Sequence, residues 1–371
     1  MKIILASFEL SHLKTGVHKK IIGQGDALKS MGFDVYYLFI DEEGLKITNF
    51  NINYTEFIKK IKTKVGVVTS GYNLSKKIIT KIAPDILYQR SSFHEPFFIS
   101  YLKYIRKNRI RIFYEIPTFP YDNEFYKKKF PLNLFLLPDR FYRKNIYHLA
   151  EKVVTYTDHE KILGVKTIKL ENGIVPKNFK KQNLNKSQRI LNIIAVANIS
   201  FWHGYDRMIK GLYNYYQNSK SNLPVFLKII GGGPETERLI SLVEKLKLQQ
   251  YVSFTGRIDG KELDIHFDNM HIGVDVLGMF RRGFNESCSL KAREYCARGI
   301  PFISSSLDGD FDPSFKFRFK CEANEKPIVV DSIIKFYKCL NWNTEKQDDL
   351  ISFANERLSW EKKMKRVTKY F

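Results

Sequence analysis

Short apolar runs, each too brief to make a helix, recur through the first half of the chain, and between them apolar residues return every three or four positions. Lys2 to Phe8 and Asp34 to Ile40 predict strands, with a helix from Val17 to Met31 between them, closed by Gly32. The segment Asn49 to Lys81 is Lys-rich and polar and predicts a surface loop and helix. Asp85 to Arg90 and Ile110 to Glu115 are the next strands, joined by a helix that ends near Lys107; Lys152 to Tyr156 and Thr167 to Leu170 follow. Strand alternating with helix in this way predicts a parallel sheet with crossover helices.

The pattern then starts again. Asn172-Gly173 is a strong turn former, and Pro176 to Ser187 is a polar linker. Beyond it, Arg189 to Ala197, Pro224 to Ile230, Tyr251 to Thr255, Ile272 to Leu277 and Ile300 to Ser304 predict strands. Helices are expected from Glu235 to about Leu246, up to Arg298 with Gly299 as its stop, and over Pro327 to Cys339 and Thr344 to Leu358. Trp360 to Phe371 is amphipathic and basic. The expectation is a two-domain α/β protein, residues 1–176 and 177–359.

Composition narrows the class. In 371 residues, 44% hydrophobic, there is material for two cores and no sign of disorder. No apolar run reaches the roughly 18 residues of a membrane span, and MKIILASFEL meets charge too early for a signal peptide, so it reads as a buried first strand. Four cysteines, Cys288, Cys296, Cys321 and Cys339, lack disulfide or metal-ligand spacing, which suits a reduced cytoplasmic setting. A net charge of +22 favours polyanions, either nucleic acid or an acidic membrane. From Phe125 to Lys152, Lys127, Lys128, Lys129, Arg140, Arg143 and Lys144 edge the apolar PLNLFLLP, a pattern suited either to a bilayer interface or to a core helix with a solvated face.

Candidate chemistry gathers where predicted strands end, because open α/β sheets bind ligands at the carboxyl ends of their strands. In the first half this selects Gly16, Arg90, His94, Glu115, Tyr121 and Asp122. In the second it selects Gly231-Gly232-Gly233, a glycine run between strand and helix, and the stretch Gly283 to Pro301. There Glu286 precedes a helix start that Glu286, Ser287 or Ser289 can cap, and Glu294 stands eight positions on, inside the helix. Free N–H groups and the helix dipole at such a start favour phosphate.

Glu286, then SCSLKAR, then Glu294 and YCARGIP resembles the donor-binding signature of retaining GT-B glycosyltransferases of family four, in the variant used in bacterial surface-polysaccharide assembly. Gly16, Asn172-Gly173, His203-Gly204 and Gly231 to Glu235 stand in the order that the family shows. The resemblance implies two Rossmann-like domains with parallel sheets facing an interdomain cleft, and a last helix, 360–371, packed back on the first domain. It places Glu286 at the hydroxyls of the transferred sugar, Glu294 at the ribose, the amides of Leu290 and Lys291 at the distal phosphate, and Arg257 beside the base. Gly16, Asn198, His203, Gly232 and Arg282 complete the donor set, and Glu115 or His94 takes the polar role beside the reacting sugar. Arg90, Tyr121 and Asp122 are left for the acceptor. The family's arginine and lysine of the first loop are replaced by Asn198 and His203, so a histidine held toward its charged form, with Lys291, Arg281, Arg282 and Arg207, is expected to supply the charge.

The resemblance therefore implies a metal-independent retaining transferase without cofactor. It would move a sugar from a UDP- or GDP-linked donor to a lipid-linked or free oligosaccharide, at an anionic membrane surface on the cytoplasmic face, with no nucleic acid bound. No Asp-x-Asp pair is read as a metal loop. Two alternatives stay open: a basic nucleic-acid- or membrane-binding protein on an inactive scaffold of the same fold, and a sugar-nucleotide epimerase.

Overall fold

The computed structural model describes residues 1–9, 16–121, 136–183, 189–218, 223–258 and 260–371. It divides into two compact units, Met1–Gly173 with Trp360–Phe371, and Ile174–Ser359.

The first unit is built on β1 (Lys2–Ser7), β2 (Asp34–Ile40), β3 (Leu45–Asn49), β4 (Tyr54–Lys59), β5 (Ile86–Arg90), β6 (Arg111–Glu115), β7 (Lys152–Thr155), β8 (Lys161–Ile162) and β9 (Val165–Lys169). They form one sheet in the order β4-β3-β2-β1-β5-β6-β7-β9-β8. Its centre is parallel, and β1 is buried over five of its six residues, as expected of a strand covered on both faces. The edges are antiparallel: β3 and β4 make a hairpin on β2, and β8 turns back on β9. This hairpin lies where a polar loop was expected. Tyr54, Thr55, Glu56 and Phe57 are all exposed, so β4 is held by backbone pairing to β3 and carries no alternating signal. The Lys127 to Lys129 run and Asp122 lie outside the described residues.

The second unit contains β10 (Leu191–Val196), β11 (Val225–Ile230), β12 (Val252–Phe254), β13 (Ile272–Val274), β14 (Phe302–Ser304) and β15 (Arg318–Lys320). All pair in parallel, in the order β12-β11-β10-β13-β14-β15. The winding reverses between β10 and β13, and a doubly wound sheet binds its ligand at such a switch point. The short β15 was not visible in the sequence because its RFK has two cations in three residues and no apolar run.

The C-terminal helix Trp360–Val367 belongs to the first unit. Trp360 is 3% exposed and lies over Gly23 and Gly173, where a Cβ would come within 2.2 and 2.7 Å of its ring. Buried Glu171 accepts hydrogen bonds from Lys363 at 3.2 Å and Arg366 at 2.7 Å. No helix among the described residues is long and apolar enough to cross a membrane.

Candidate functional site

In the second unit, two loops leave the strands that flank the switch point and meet. Residues 197–204 follow β10 and residues 275–289 follow β13. Gly204 has φ +66, and a Cβ there would lie 2.8 Å from the Leu277 carbonyl carbon, so the contact is backbone on backbone and requires glycine. Leu277 N–H donates to the His203 carbonyl at 3.0 Å. Arg281 stacks 4.4 Å over Phe201, and Arg282 stacks 4.8 Å over Trp202, fastening one loop to the other by cation–π contact.

The signature helix spans Leu290–Arg298. Ser289 caps it, its hydroxyl accepting from Lys291 N–H at 3.1 Å, and Gly299 at φ +71 ends it. The Lys291 amide thus donates to the cap hydroxyl. The backbone around Glu286 is fixed by the segment that follows β14, since Leu307 N–H donates to the Asn285 carbonyl and Ser287 N–H donates to the Leu307 carbonyl, both at 2.8 Å. Glu286 itself is exposed at the carboxyl edge of the sheet. Glu294 is half-buried and held by Arg298 at 2.9 Å, which also pairs with Asp264 at 2.7 Å.

His203 Nδ1 accepts from the Ser200 N–H at 3.0 Å, leaving the proton on Nε2, and burial together with the neighbouring Lys291 pulls its pKa down to about 2. With no anion beside it His203 is held neutral, because desolvation and a nearby ammonium both oppose protonation. Arg207, 2% exposed, donates to the carbonyls of Leu277, Glu322 and Lys326. Arg281 is bidentate to Asp206, at 2.8 and 2.9 Å, and pairs with Glu325. Both arginines knit loops together.

The ammonium of Lys291 is different. Its side chain is 15% exposed and points toward Asp275 after β13, whose carboxylate stands 3.8 Å away. Neither Lys291 Nζ nor Asp275 Oδ1 has a hydrogen-bond partner among the described residues, and the same holds for the hydroxyl of buried Tyr205. The Tyr205 ring lies 5.8 Å from the ammonium. Burial pulls the Lys291 pKa down to about 8, with Asp275 acting in the opposite direction. Asp275 and Tyr205 were missed in the sequence; the only signal was a carboxylate interrupting the apolar IGVDVL.

The glycine run divides by role. A Cβ on Gly231 or Gly233 would fall 1.8 Å from the Ala197 carbonyl oxygen or 2.3 Å from that of Ile199, so these two let the loops after β10 and β11 touch. Gly232 faces open space. Asn198 and Arg257 are exposed on neighbouring loops, and Leu290 packs into the core beneath the helix. Cys288, Asp308 and Asp310 bring ligand atoms within 4.8 Å of one another. The sequence reading passed over this Asp308-Gly309-Asp310 pair. Arg293, fully buried, meets both carboxylates, at 2.5 and 2.7 Å to Asp308 and 2.5 Å to Asp310.

In the first unit, Arg90 and Glu115 end adjacent strands. Glu115 is 1% exposed and accepts from Lys20 at 2.7 Å, Arg90 at 2.6 Å, Tyr88 at 2.8 Å and Gln24 at 3.1 Å. Burial alone would raise its pKa, but Lys20 and Arg90 lower it to about 2. Arg90 also reaches Glu9 at 3.4 Å. His94 is likewise buried, neither at the surface nor a cap; Glu95 caps the helix Pro96–Lys107. One ring nitrogen of His94 meets Asp139 at 2.7 Å and the other meets Tyr114 at 2.9 Å. Tyr121 donates to the second oxygen of Asp139 at 3.0 Å. Gly16, exposed, opens the helix Gly16–Ser30.

Residues 175–312 match the family model described as glycosyl transferases group 1. A comparison with curated proteins gives no match. Among solved structures, the chain is similar to sucrose-phosphate synthase from Thermosynechococcus elongatus, with TM-score 0.72 and 15% identity over 100% of this chain and 98% of that one. It is also similar to a glycosyltransferase from Rickettsia africae, with TM-score 0.66 and 15% identity over 100% and 97%. A third is the lipopolysaccharide outer core galactosyltransferase WaaB, with TM-score 0.62 and 14% identity over 100% of both chains. The two α/β units with parallel-strand sheets are those of GT-B glycosyltransferase structures, and fold and family match together support a GT-B glycosyltransferase.

Proposed function

We propose that the protein is a retaining, metal-independent glycosyltransferase of family four that transfers a sugar from a UDP- or GDP-linked donor to a lipid-linked glycan in bacterial surface-polysaccharide synthesis. The observation that carries this reading is the carboxyl edge of the second sheet. There Glu286, the capped start of Leu290–Arg298, neutral His203 and the Lys291 ammonium come from the loops on either side of the switch point. A diphosphate leaving group there meets a helix dipole, a cation and an imidazole N–H, which stabilise the charge that develops as the glycosidic bond breaks. Glu286, exposed and without a counter-ion among the described residues, is suited to orient sugar hydroxyls. Glu115 and His94 are tied into buried networks, and in this reading they position Arg90, Lys20 and Tyr121 rather than touch the sugar.

A membrane-bound acceptor is supported by the face around Leu136–Tyr142. Phe97, Leu137, Phe141 and Tyr147 are between 57% and 71% exposed, with Lys144 exposed beside them. Apolar rings with cations suit an anionic interface. Two measurements test the reading. Glu286→Ala should abolish sugar transfer from a UDP- or GDP-sugar panel, read by mass spectrometry of products, while the melting temperature holds; wild-type turnover by this variant contradicts the assignment. Phe141→Asp should weaken binding to vesicles containing anionic lipid, and unchanged binding removes the membrane proposal.

A further inference from the structure

The side chain of Glu286 is exposed and has no ion pair or hydrogen bond among the described residues, so the backbone that carries it sets the direction of its carboxylate. Glu294, in the signature helix, shows the other solution, because its carboxylate is held directly by Arg298 at 2.9 Å. The backbone at Glu286 is gripped on two sides. Asn285 and Ser287 pair with Leu307, and Ser289 starts the helix three residues on. Both holds lead to one guanidinium. Arg293 Nη1 donates to the Ser289 carbonyl at 3.0 Å and to one oxygen of Asp308, the residue after Leu307, at 2.5 Å. Its Nη2 donates to the other oxygen of Asp308 at 2.7 Å and to Asp310 at 2.5 Å. The turn that presents these carboxylates is closed on itself. The Asp308 carboxylate accepts from the Asp310 N–H at 3.1 Å, its carbonyl accepts from the Phe311 N–H at 3.1 Å, and the Phe311 ring lies 5.3 Å from the guanidinium.

The Arg293 side chain is 0% exposed, and those of Asp308 and Asp310 are 6% and 8% exposed. A buried ion network of this kind adds little net stability over apolar residues of the same volume, since desolvation offsets the attraction. What it supplies is direction, because a planar fork of donors fixes the angle of every acceptor bonded to it. We infer that Arg293, Asp308 and Asp310 are positioning residues for Glu286: one guanidinium fixes the start of the signature helix against the segment that follows β14, and so aims a carboxylate that has no partner to aim it. The inference rests on the reading of Glu286 as the group that orients the sugar. The hold on the backbone is independent of that reading and can be measured apart from it.

Asp308→Asn keeps the volume and one acceptor and removes the charge. It is tested on the intact protein by amide exchange, by steady-state kinetics with the donor that a UDP- and GDP-sugar panel selects, and by calorimetric titration with the matching nucleoside diphosphate. Exchange at Ser287 and Leu307, whose N–H groups make the two bonds beside Glu286, should speed up while β13 keeps its protection. The kcat should fall by about tenfold or more, and the nucleoside diphosphate, which lacks the sugar that Glu286 orients, should bind as before. In a Glu286→Gln background the same substitution should cost little further, because two changes that act through one group are not additive. If Asp308→Asn does not fold, Asp310→Asn, which leaves both Asp308 bonds in place, is read in the same way. Unchanged exchange with unchanged kcat, or a fall in kcat matched by equal losses of nucleotide affinity and melting temperature, overturns the positioning role and leaves Glu286 standing. Faster exchange with wild-type turnover, or additive losses in the double variant, likewise overturns it. Wild-type turnover by Glu286→Ala overturns the role of Glu286 and the positioning role with it.

Discussion

At Glu115 one carboxylate neutralises two cations, and removing its charge would leave Lys20 and Arg90 facing each other in the core of the first unit. Breaking one side of a buried ion network typically costs about 3–5 kcal/mol, so Glu115→Gln should lower the denaturation midpoint by a corresponding amount; a change within error would mean that the network is not structural. The pH dependence follows from the same groups. Glu115 is lowered from 4.5 to about 2, so its contribution is complete above 4.5 and is lost as pH falls through about 2. His203 is lowered from 6.5 to about 2 and His271 to about 4, both by burial, so the unfolded chain takes up protons that the folded one refuses as soon as pH drops below 6.5. Stability measured by urea titration should therefore start to fall below pH 6.5, well before carboxylates titrate. An acid limb that begins only below 4.5 would contradict a neutral His203. None of these couplings was legible in the sequence, because Lys20 and Glu115 are 95 residues apart and the partner of a polar residue carries no periodicity.

Among the elements, what could be read and what could not divide along burial. β1, β2, β5, β6, β10 and β11 were visible because strands covered on both faces are continuous apolar runs, and Gly299 marked the end of the signature helix because only a left-handed residue closes it. The β3–β4 hairpin and β15 had no such signal. The glycine run was visible, but not its purpose. Gly231 is at φ +123 against the Ala197 carbonyl, whereas Gly232 has nothing within 4 Å of a Cβ. Gly231→Ala should consequently destabilise the second unit by more than the ~1 kcal/mol that separates alanine from glycine where the backbone is compatible. Gly232→Ala should leave the melting temperature unchanged and alter only nucleotide affinity, measured by titration. Equal melting temperatures for the two variants would show that the loops after β10 and β11 have room to separate.

For the whole molecule, the connectivity makes its own prediction. The chain leaves the first unit at Gly173, completes the second, and returns with Trp360–Phe371, so the last twelve residues stabilise a sheet formed by the first half of the sequence. Trp360 rests on Gly23 and Gly173, two positions without side chains, while Phe371 packs on Phe113 with ring centroids 4.9 Å apart. Truncating a buried tryptophan to alanine costs about 3–5 kcal/mol when the surroundings cannot collapse, and glycines have no side chain to fill the gap. Trp360→Ala should therefore speed amide exchange in β1 and β5 of the first unit, and the strands β10 and β11, which precede Trp360 by more than a hundred residues, should keep their protection. If exchange instead rises in β10 and β11, the terminal helix serves the second unit, and the division of the chain into Met1–Gly173 with Trp360–Phe371 is wrong.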